Sequence, residues 1–358
     1  MSLIKMQNRK SPSFVRPGNS KGRVNRSGTA ISLGNQTAED MAVVENWRTS
    51  HAYLLNTFQA TLRNKAKGKP IIVAQRLKRR PTILGKLQRY PQMKLARMHD
   101  IAGCRVIFDS VAALEDYRAK MHKARFKHIR KAEEQDRWNY LRSPKPSGYR
   151  GVHDVYEYRA KVGGGEPWNG LLLEIQYRTQ VQHAWATAVE VAGLVTHNNP
   201  KFDQGSSEVL EFFKLSSEIL ARAYENSTSC YPGLTNSEVI TRLDEANRKT
   251  HMLRLFKQIR IVQGQKEVQR KNTIMVLKPA ISNGIEEIQL DIYTFNNIFS
   301  ATEEYHKLEQ DLGEKADVVL VKSDSMDSIQ AAYQNYFGDT SEFTSLLADG
   351  QKTLKRSL

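Results

Sequence analysis

Two short apolar runs, Cys104-Arg-Val-Ile-Phe108 and the segment from Gly170 to Tyr177, constrain the fold of this chain most. Both are rich in β-branched and aromatic residues and bounded by turn formers, so both read as strands. Val152-His-Asp-Val-Tyr-Glu-Tyr158 alternates and reads as a third strand. The turn Gly163-Gly-Gly165 joins it to the Gly170 run, which predicts an antiparallel pair. Stretches of helical spacing surround these strands. Thr37 is a predicted N-cap, and Met41, Val44, Trp47, Leu54, Phe58 and Leu62 mark one long helix to about Ala66. Further helices are expected at about 82–90, with Pro81 in the first turn, and at 111–122, 181–194, 207–224 and 235–256. The predicted class is α+β, a mixed sheet covered by helices over residues 37–255.

Outside that domain, residues 1–36 are polar and basic and read as a disordered arm. Residues 256–358 read as a separate small α+β module. Its strands are expected at 259–262, 273–277, 287–295 and 316–321, and its helices at 300–312 and 326–336. No catalytic constellation stands out in it, which suits a regulatory or binding role.

The net charge of +16 is unevenly placed. No acidic residue precedes Glu39, and twelve Lys or Arg lie between Arg63 and Arg97 with no Asp or Glu among them. A third basic stretch runs from Arg118 to Lys131. Such an excess suits a polyanionic partner, because each neutralised phosphate releases counterions. No apolar stretch is long enough to span a membrane. The N-terminus lacks the apolar stretch of a secretory signal. With only Cys104 and Cys230, a structural disulfide is not expected and a cytoplasmic setting fits.

Each of two strands carries a lone carboxylate, Asp100 before the first and Glu174 within the second. Carboxylates at neighbouring strand ends can share a Mg²⁺ ion, or divide metal binding from proton acceptance. Alternation puts Glu174 and Gln176 on one face and Ile175 and Tyr177 on the other. Taken alone, Asp and Glu at strand ends are as a rule solvated. Between the strands, a Gly- and Pro-punctuated loop carries Lys145, Tyr149, Arg150 and His153. A tyrosine among cations can stack on a base while the cations meet phosphates. Arg76-Leu-Lys-Arg-Arg80 with Lys86 could clamp a triphosphate, and no Gly-rich P-loop pattern accompanies it. His99-Asp100 lacks the further His and Asp that a dinuclear hydrolase needs, and His183 beside Trp185 suits a satisfied polar contact.

Asp100-Ile-Ala-Gly-Cys-Arg105, Pro144-Lys-Pro-Ser-Gly-Tyr-Arg-Gly-Val-His153 and Glu174-Ile-Gln-Tyr-Arg-Thr179, in this order, resemble the synthetase domain of RelA/SpoT-type alarmone enzymes, a nucleotidyltransferase-like fold. Arg76-Leu-Lys78, Thr82-Ile83 and Lys86 resemble the ATP-binding segment of that family, and His183-Ala-Trp-Ala186 its following helix. The likeness covers about residues 40–225 and implies a pyrophosphotransferase. An acceptor 3′-hydroxyl attacks the β-phosphorus of ATP and AMP leaves. By motif position Asp100 would coordinate Mg²⁺, and Glu174 would share the ion or act as general base. Arg76, Lys78, Lys86 and Arg105 would hold ATP. Tyr149 would stack on the acceptor base, and Lys145, His153, Gln176 and Arg178 would fix acceptor or phosphate groups.

Thr187-Ala-Val-Glu190 departs from the usual continuation of that helix. Together with the 256–358 module and Ala332-Tyr-Gln-Asn-Tyr-Phe337, it resembles the CapRel type of fused toxin–antitoxin in antiphage defence, with Gln334 departing from the pattern. That resemblance implies pyrophosphorylation of the 3′-CCA end of tRNA. It also implies restraint by the C-terminal module and a phage protein as trigger. Tyr333 and Tyr336, three apart on one predicted helix face, would dock on the ATP site. The other readings are a (p)ppGpp or (p)ppApp synthetase acting on free nucleotides and a non-enzymatic RNA-binding module. Oligomeric state and trigger identity are not encoded in any motif found.

Overall fold

A computed structural model describes residues 14–132, 136–161, 164–195, 207–258, 261–266, 272–282, 285–313, 316–322, 329–331, 333 and 340–356. Its centre is a nine-stranded mixed sheet. In chain order the strands are β1 Ile72–Leu77, β2 Ala102–Phe108, β3 Ile129–Lys131, β4 Val152–Glu157, β5 Leu172–Thr179, β6 Ile261–Lys266, β7 Asn272–Ser282, β8 Ile285–Phe295 and β9 Asp317–Lys322. They lie in the order β3-β4-β5-β2-β1-β9-β7-β8-β6. As expected, β4 and β5 pair antiparallel. β2 and β5 are parallel neighbours, with Gly103 opposite Glu174. The C-terminal strands do not form a detached sheet: β9 lies against β1 through Arg76 and Val321, and the domain sheet runs on into residues 272–322.

The expected disordered arm is corrected by α1, Lys21–Ser32, which is capped by Ser20. Few apolar residues mark it, but Val24, Gly28 and Ile31 fall on one stripe and are buried. A Cβ at Gly28 would stand 2.8 Å from Leu95 Cβ, so only glycine lets the helix seat so closely. Arg23 is turned onto Asp40 and Glu39 rather than outward.

The long first helix is two, α2 Ala38–Ser50 and α3 Ala52–Ala66. Thr37 and Asp40 form the capping box that begins α2. The break follows from competition for one carbonyl. Ser50 Oγ donates to Trp47 O at 2.7 Å, and His51 Nδ1 lies 2.6 Å from the same oxygen, so the His51 amide turns to Arg48 O instead. α4 Arg80–Arg89 and α5 Val111–His122 complete this layer. The layer covers Cys104, Val106, Phe108, Ile175 and Tyr177 on one sheet face.

A second core lies in a helical bundle of α6 Gln180–Val195, α7 Ser207–Glu225, α8 Asn236–Thr250 and α9 Met252–Gln258. His251, at φ 54°, separates α8 from α9 where one helix was expected. The last helix, α11 Ser341–Arg356, was not foreseen. Its Phe343, Leu347 and Leu354 complete the bundle core. Between β8 and β9, α10 Ile298–Leu312 packs Ala301 and Tyr305 on Ile274, Val276, Val318 and Leu320. Of the expected helix 326–336, residues 329–331 and Tyr333 are described. Tyr336 lies outside the described residues.

One side chain ties these layers together. Arg48, fully buried, donates to Lys78 O at 2.7 Å and Glu45 Oε1 at 2.8 Å, and pairs with Glu309 Oε2 at 2.8 Å. It also bonds the Tyr305 hydroxyl and lies 5.0 Å from that ring's centroid. Arg48→Met removes the cation and strands Glu309 in a dry interface. It should destabilise the chain by about 3–5 kcal/mol in denaturant unfolding. A loss below about 1 kcal/mol would show that the cluster is no more than a surface ion pair in effect.

Candidate functional site

The strand register lays the expected site residues on one sheet face as a grid. One row runs Arg76, Gly103, Glu174, Val155 across β1, β2, β5 and β4. The next runs Ala74, Arg105, Gln176, His153. Arg178 follows Gln176 on the same face of β5, two residues on. Gly103 leaves the space between Arg76 and Glu174 empty: a Cβ there would meet only Arg76 O, at 3.8 Å.

Asp100 sits in the turn before β2. Its oxygens take Lys78 Nζ at 2.9 Å and Lys86 Nζ at 3.0 Å. Burial works to raise the Asp100 carboxyl, but the two ammonium groups prevail and hold it at about 2, against some repulsion from Glu174. Lys78 is brought down to about 8, first by burial and further by Lys86 and Arg76, although Asp100 supports its charge. Arg105 is likewise lowered to about 10 by burial and by Arg178. Asp100 faces Lys78 and Lys86, and Glu190 supports Arg105, yet Arg76 and Arg178 crowd the same cations, so an added phosphate anion relieves repulsion.

Glu174 is buried and bonded on both oxygens. His153 Nδ1 is 3.1 Å and His99 Nε2 3.4 Å from Oε1, and Gln176 Nε2 donates to Oε2 at 2.7 Å. Burial opposes its charge, yet the His153 and His99 imidazoles keep the carboxyl well below its ordinary range. His153 reaches Tyr149 with its other nitrogen, at 2.6 Å. Burial disfavours the imidazolium, but Tyr149 and Glu174 together push it up to about 9. Arg178 Nε donates to the Tyr149 hydroxyl at 3.2 Å, so Glu174, His153, Tyr149 and Arg178 form one chain of hydrogen bonds.

The loop between β3 and β4 carries Lys145, Gly148, Tyr149 and Arg150. Gly148 has φ 92°, and a Cβ there would come within 3.1 Å of Trp185 and 3.2 Å of Ser217, so this turn requires glycine. Lys145 Nζ lies 4.5 Å from the Tyr140 ring centroid and 5.2 Å from that of Tyr149, and Arg178 lies 5.1 Å from Tyr149. Arg150, grouped by sequence with this cationic loop, points away and is buried on Glu225. His183 is only half satisfied: Nε2 lies 2.9 Å from Ala331 O, while buried Nδ1 has no hydrogen-bond partner. Sequence reasoning missed Trp138 and Tyr140, and gave His99 no part here. The available signal was Arg137-Trp-Asn-Tyr140, two aromatics one residue apart in a polar stretch.

The basic runs are only partly free for a partner. Arg118 is spent on Asp136 and Asp154, and His122 on Asp154. Lys123, Arg125 and Lys127 alternate outward beside the edge strand β3 and are exposed, while Phe126 and His128 between them pack on Phe58.

For Mg²⁺ the fit is adequate. Asp100 and Glu174 offer hard oxygens, close enough for their charges to oppose one another, and Mg²⁺ takes one or two carboxylates with substrate phosphates completing its shell. Among the described residues no group of three or more His, Cys, Asp or Glu could hold a metal by itself. No helix among them is long and apolar enough to cross a membrane.

Because a bound phosphate favours charged Lys78, binding should take up protons near pH 8. Affinity for pyrophosphate is therefore expected to fall as pH rises from 7 to 9. Titration calorimetry in buffers of different ionisation enthalpy reads the uptake, and Lys78→Arg should abolish it. Affinity independent of pH over that span would show that Lys78 stays paired with Asp100 throughout.

Comparison with known proteins picks out the same stretch of chain. A family model described as a region found in RelA / SpoT proteins matches residues 75–194. Curated relatives from Mycobacterium bovis and Mycobacterium tuberculosis, both uncharacterized proteins, are 27% identical over 190 residues, 53% of this chain and 64% of theirs. The chain thus spans less than two-thirds of their length. Similar solved structures include small alarmone synthetase 1 from Bacillus subtilis bound to its product pppGpp, 26% identical, covering 49% of this chain and 88% of that one, with a TM-score of 0.39. A GTP pyrophosphokinase family protein from Streptococcus pneumoniae is 20% identical over 61% of this chain and 98% of that one, also at 0.39. The stretch that holds Arg76, Lys86, Asp100, Arg105, Tyr149, His153 and Glu174 thus lies wholly within the match to a region found in RelA / SpoT proteins.

Proposed function

We propose that this chain transfers pyrophosphate from ATP to the 3′-hydroxyl of a tRNA, and that its C-terminal part restrains the reaction. The observation that carries the reading is the grid row itself: a phosphate-hungry cation cluster and an ionised Glu174 stand on either side of the gap above Gly103. Arg76, Lys78, Lys86 and Arg105 hold the triphosphate. Glu174 takes the proton of the acceptor hydroxyl, whose oxygen forms a bond to the β-phosphorus. The bond from that phosphorus to the α-phosphate oxygen breaks, and AMP departs with the electron pair. Asp100, with Glu174 beside it, would hold Mg²⁺, which would neutralise charge on the phosphates. His153 and Gln176 hold Glu174 in place. Tyr149 offers its ring to the acceptor base, with Lys145 and Arg178 for neighbouring phosphates.

The exposed Lys123, Arg125 and Lys127, with the net charge of +16, support an acceptor with many phosphates. A free guanine or adenine nucleotide is the second reading. The Tyr149 seat with its two cations is all that one base and its phosphates require. Labelled ATP offered to tRNA, GDP and GTP separates them, since the γ-label follows the acceptor. Label should enter tRNA, and Glu174→Gln should slow transfer at least 100-fold. Label confined to free nucleotides would overturn the tRNA assignment.

Restraint is read from Tyr333. Its hydroxyl donates to Gln75 O at 2.7 Å, and Arg105 lies 5.7 Å from its ring centroid, so it covers the ATP end of the grid. This fits a fused toxin–antitoxin of antiphage defence in which a phage protein draws the segment away. Removing everything after about residue 325 would also remove α11 and open the bundle core, so a point change is the cleaner probe. Tyr333→Ala should raise the transfer rate several-fold without lowering the melting temperature by more than a few degrees. An unchanged rate in a folded variant counts against restraint at this residue.

A further inference from the structure

The geometry points to a second base-stacking platform, Trp138 with His99, beside the Tyr149 seat. The two rings lie 5.3 Å apart at 46°. Neither Trp138 nor Tyr140 belongs to the buried apolar clusters or packs against them as a partly buried hydrophobic side chain, whereas Leu141 does. Trp138 is half-buried, and its ring packs on His99. His99 Nε2 reaches Glu174 at 3.4 Å, so the platform adjoins the carboxylate that takes the acceptor proton.

The platform is built on a fixed frame. Trp138 O accepts from His153 N at 3.0 Å, and Tyr140 N donates to Gly151 O at 2.9 Å. Asn139 Nδ2 donates to Asp136 at 2.8 Å, and Arg118 joins Asp136 to buried Asp154. Two aromatic groups therefore meet at Glu174 Oε1: Tyr140 lies 5.4 Å from His153 and 5.6 Å from Tyr149, and His99 pairs with Trp138.

A mononucleotide fills one seat. Two separate π surfaces, with Lys145 beside Tyr140 and Tyr149, match two consecutive bases of a single-stranded end. The reacting base would lie on Tyr149 and the base preceding it on Trp138. This assignment rests on the RNA acceptor reading and adds the residue that would distinguish an RNA end from a free nucleotide.

The test compares kcat/KM of the full chain for a CCA-ended RNA and for GDP, in wild type, Trp138→Ala and Trp138→Phe. Trp138→Ala should lower the RNA value about tenfold or more, at least fivefold beyond any loss with GDP, and Trp138→Phe should restore most of it. Equal losses on both acceptors, or none with RNA, would overturn the platform while leaving the RNA reading intact. A raised KM for ATP with either acceptor would also overturn it, since Trp138 would then be serving the donor purine. If wild type labels GDP and not RNA, the acceptor reading itself fails and the platform falls with it.

Discussion

A guanidinium with no exposed surface holds the two parts of this molecule in register. Arg48 reaches from α2 to the carbonyl of Lys78 just beyond β1, and to Tyr305 and Glu309 on α10. β1 is itself the seam, paired with β2 on one edge and β9 on the other. Charge buried this deeply is tolerated only with complete pairing, so the seam has one good geometry. Lys78 is the residue after that seam and the first cation on Asp100. The position of the phosphate end therefore depends on contacts made by the C-terminal helix α10.

The site works by imbalance. Burial is the main reason Lys78 and Arg105 lose basicity, and neighbouring cations lower them further, Lys86 and Arg76 beside Lys78 and Arg178 and Arg76 beside Arg105. At the other end Glu174 stays ionised because His153 and His99 face it. Cations gather at one end and the ionised Glu174 stands at the other, with Gly103 between Arg76 and Glu174 in the register. A flat sheet face achieves this because period-two alternation delivers every second residue of four strands to the same side.

Much of this was legible in the chain. The carboxylates, the Arg76–Lys86 cations and the Gly148-Tyr149 turn all lie in short motifs whose spacing survives folding, and the register brought them together as alternation required. What could not be read has physical causes. α1 carries too few apolar residues to announce a helix, because Gly28 and Ser27 make its contact by being small. The division at His51 depends on which donors win the Trp47 carbonyl, a local contest with no periodic trace. Arg118 and Arg150 look like surface cations until the fold sets Asp154 and Glu225 against them. Trp138 has a local signal, but its meaning comes from His99, thirty-nine residues away in sequence.

The place of α11 in the chain has a consequence for how the molecule is made. The bundle core of α6 to α9 needs Phe343, Leu347 and Leu354 from α11, well downstream of α9 in the chain. Tyr333 precedes them. During synthesis, then, the segment that covers Arg105 emerges before the support behind Trp185 and Gly148 can close. No nascent chain has a finished bundle without also having Tyr333, whose ring lies near Arg105.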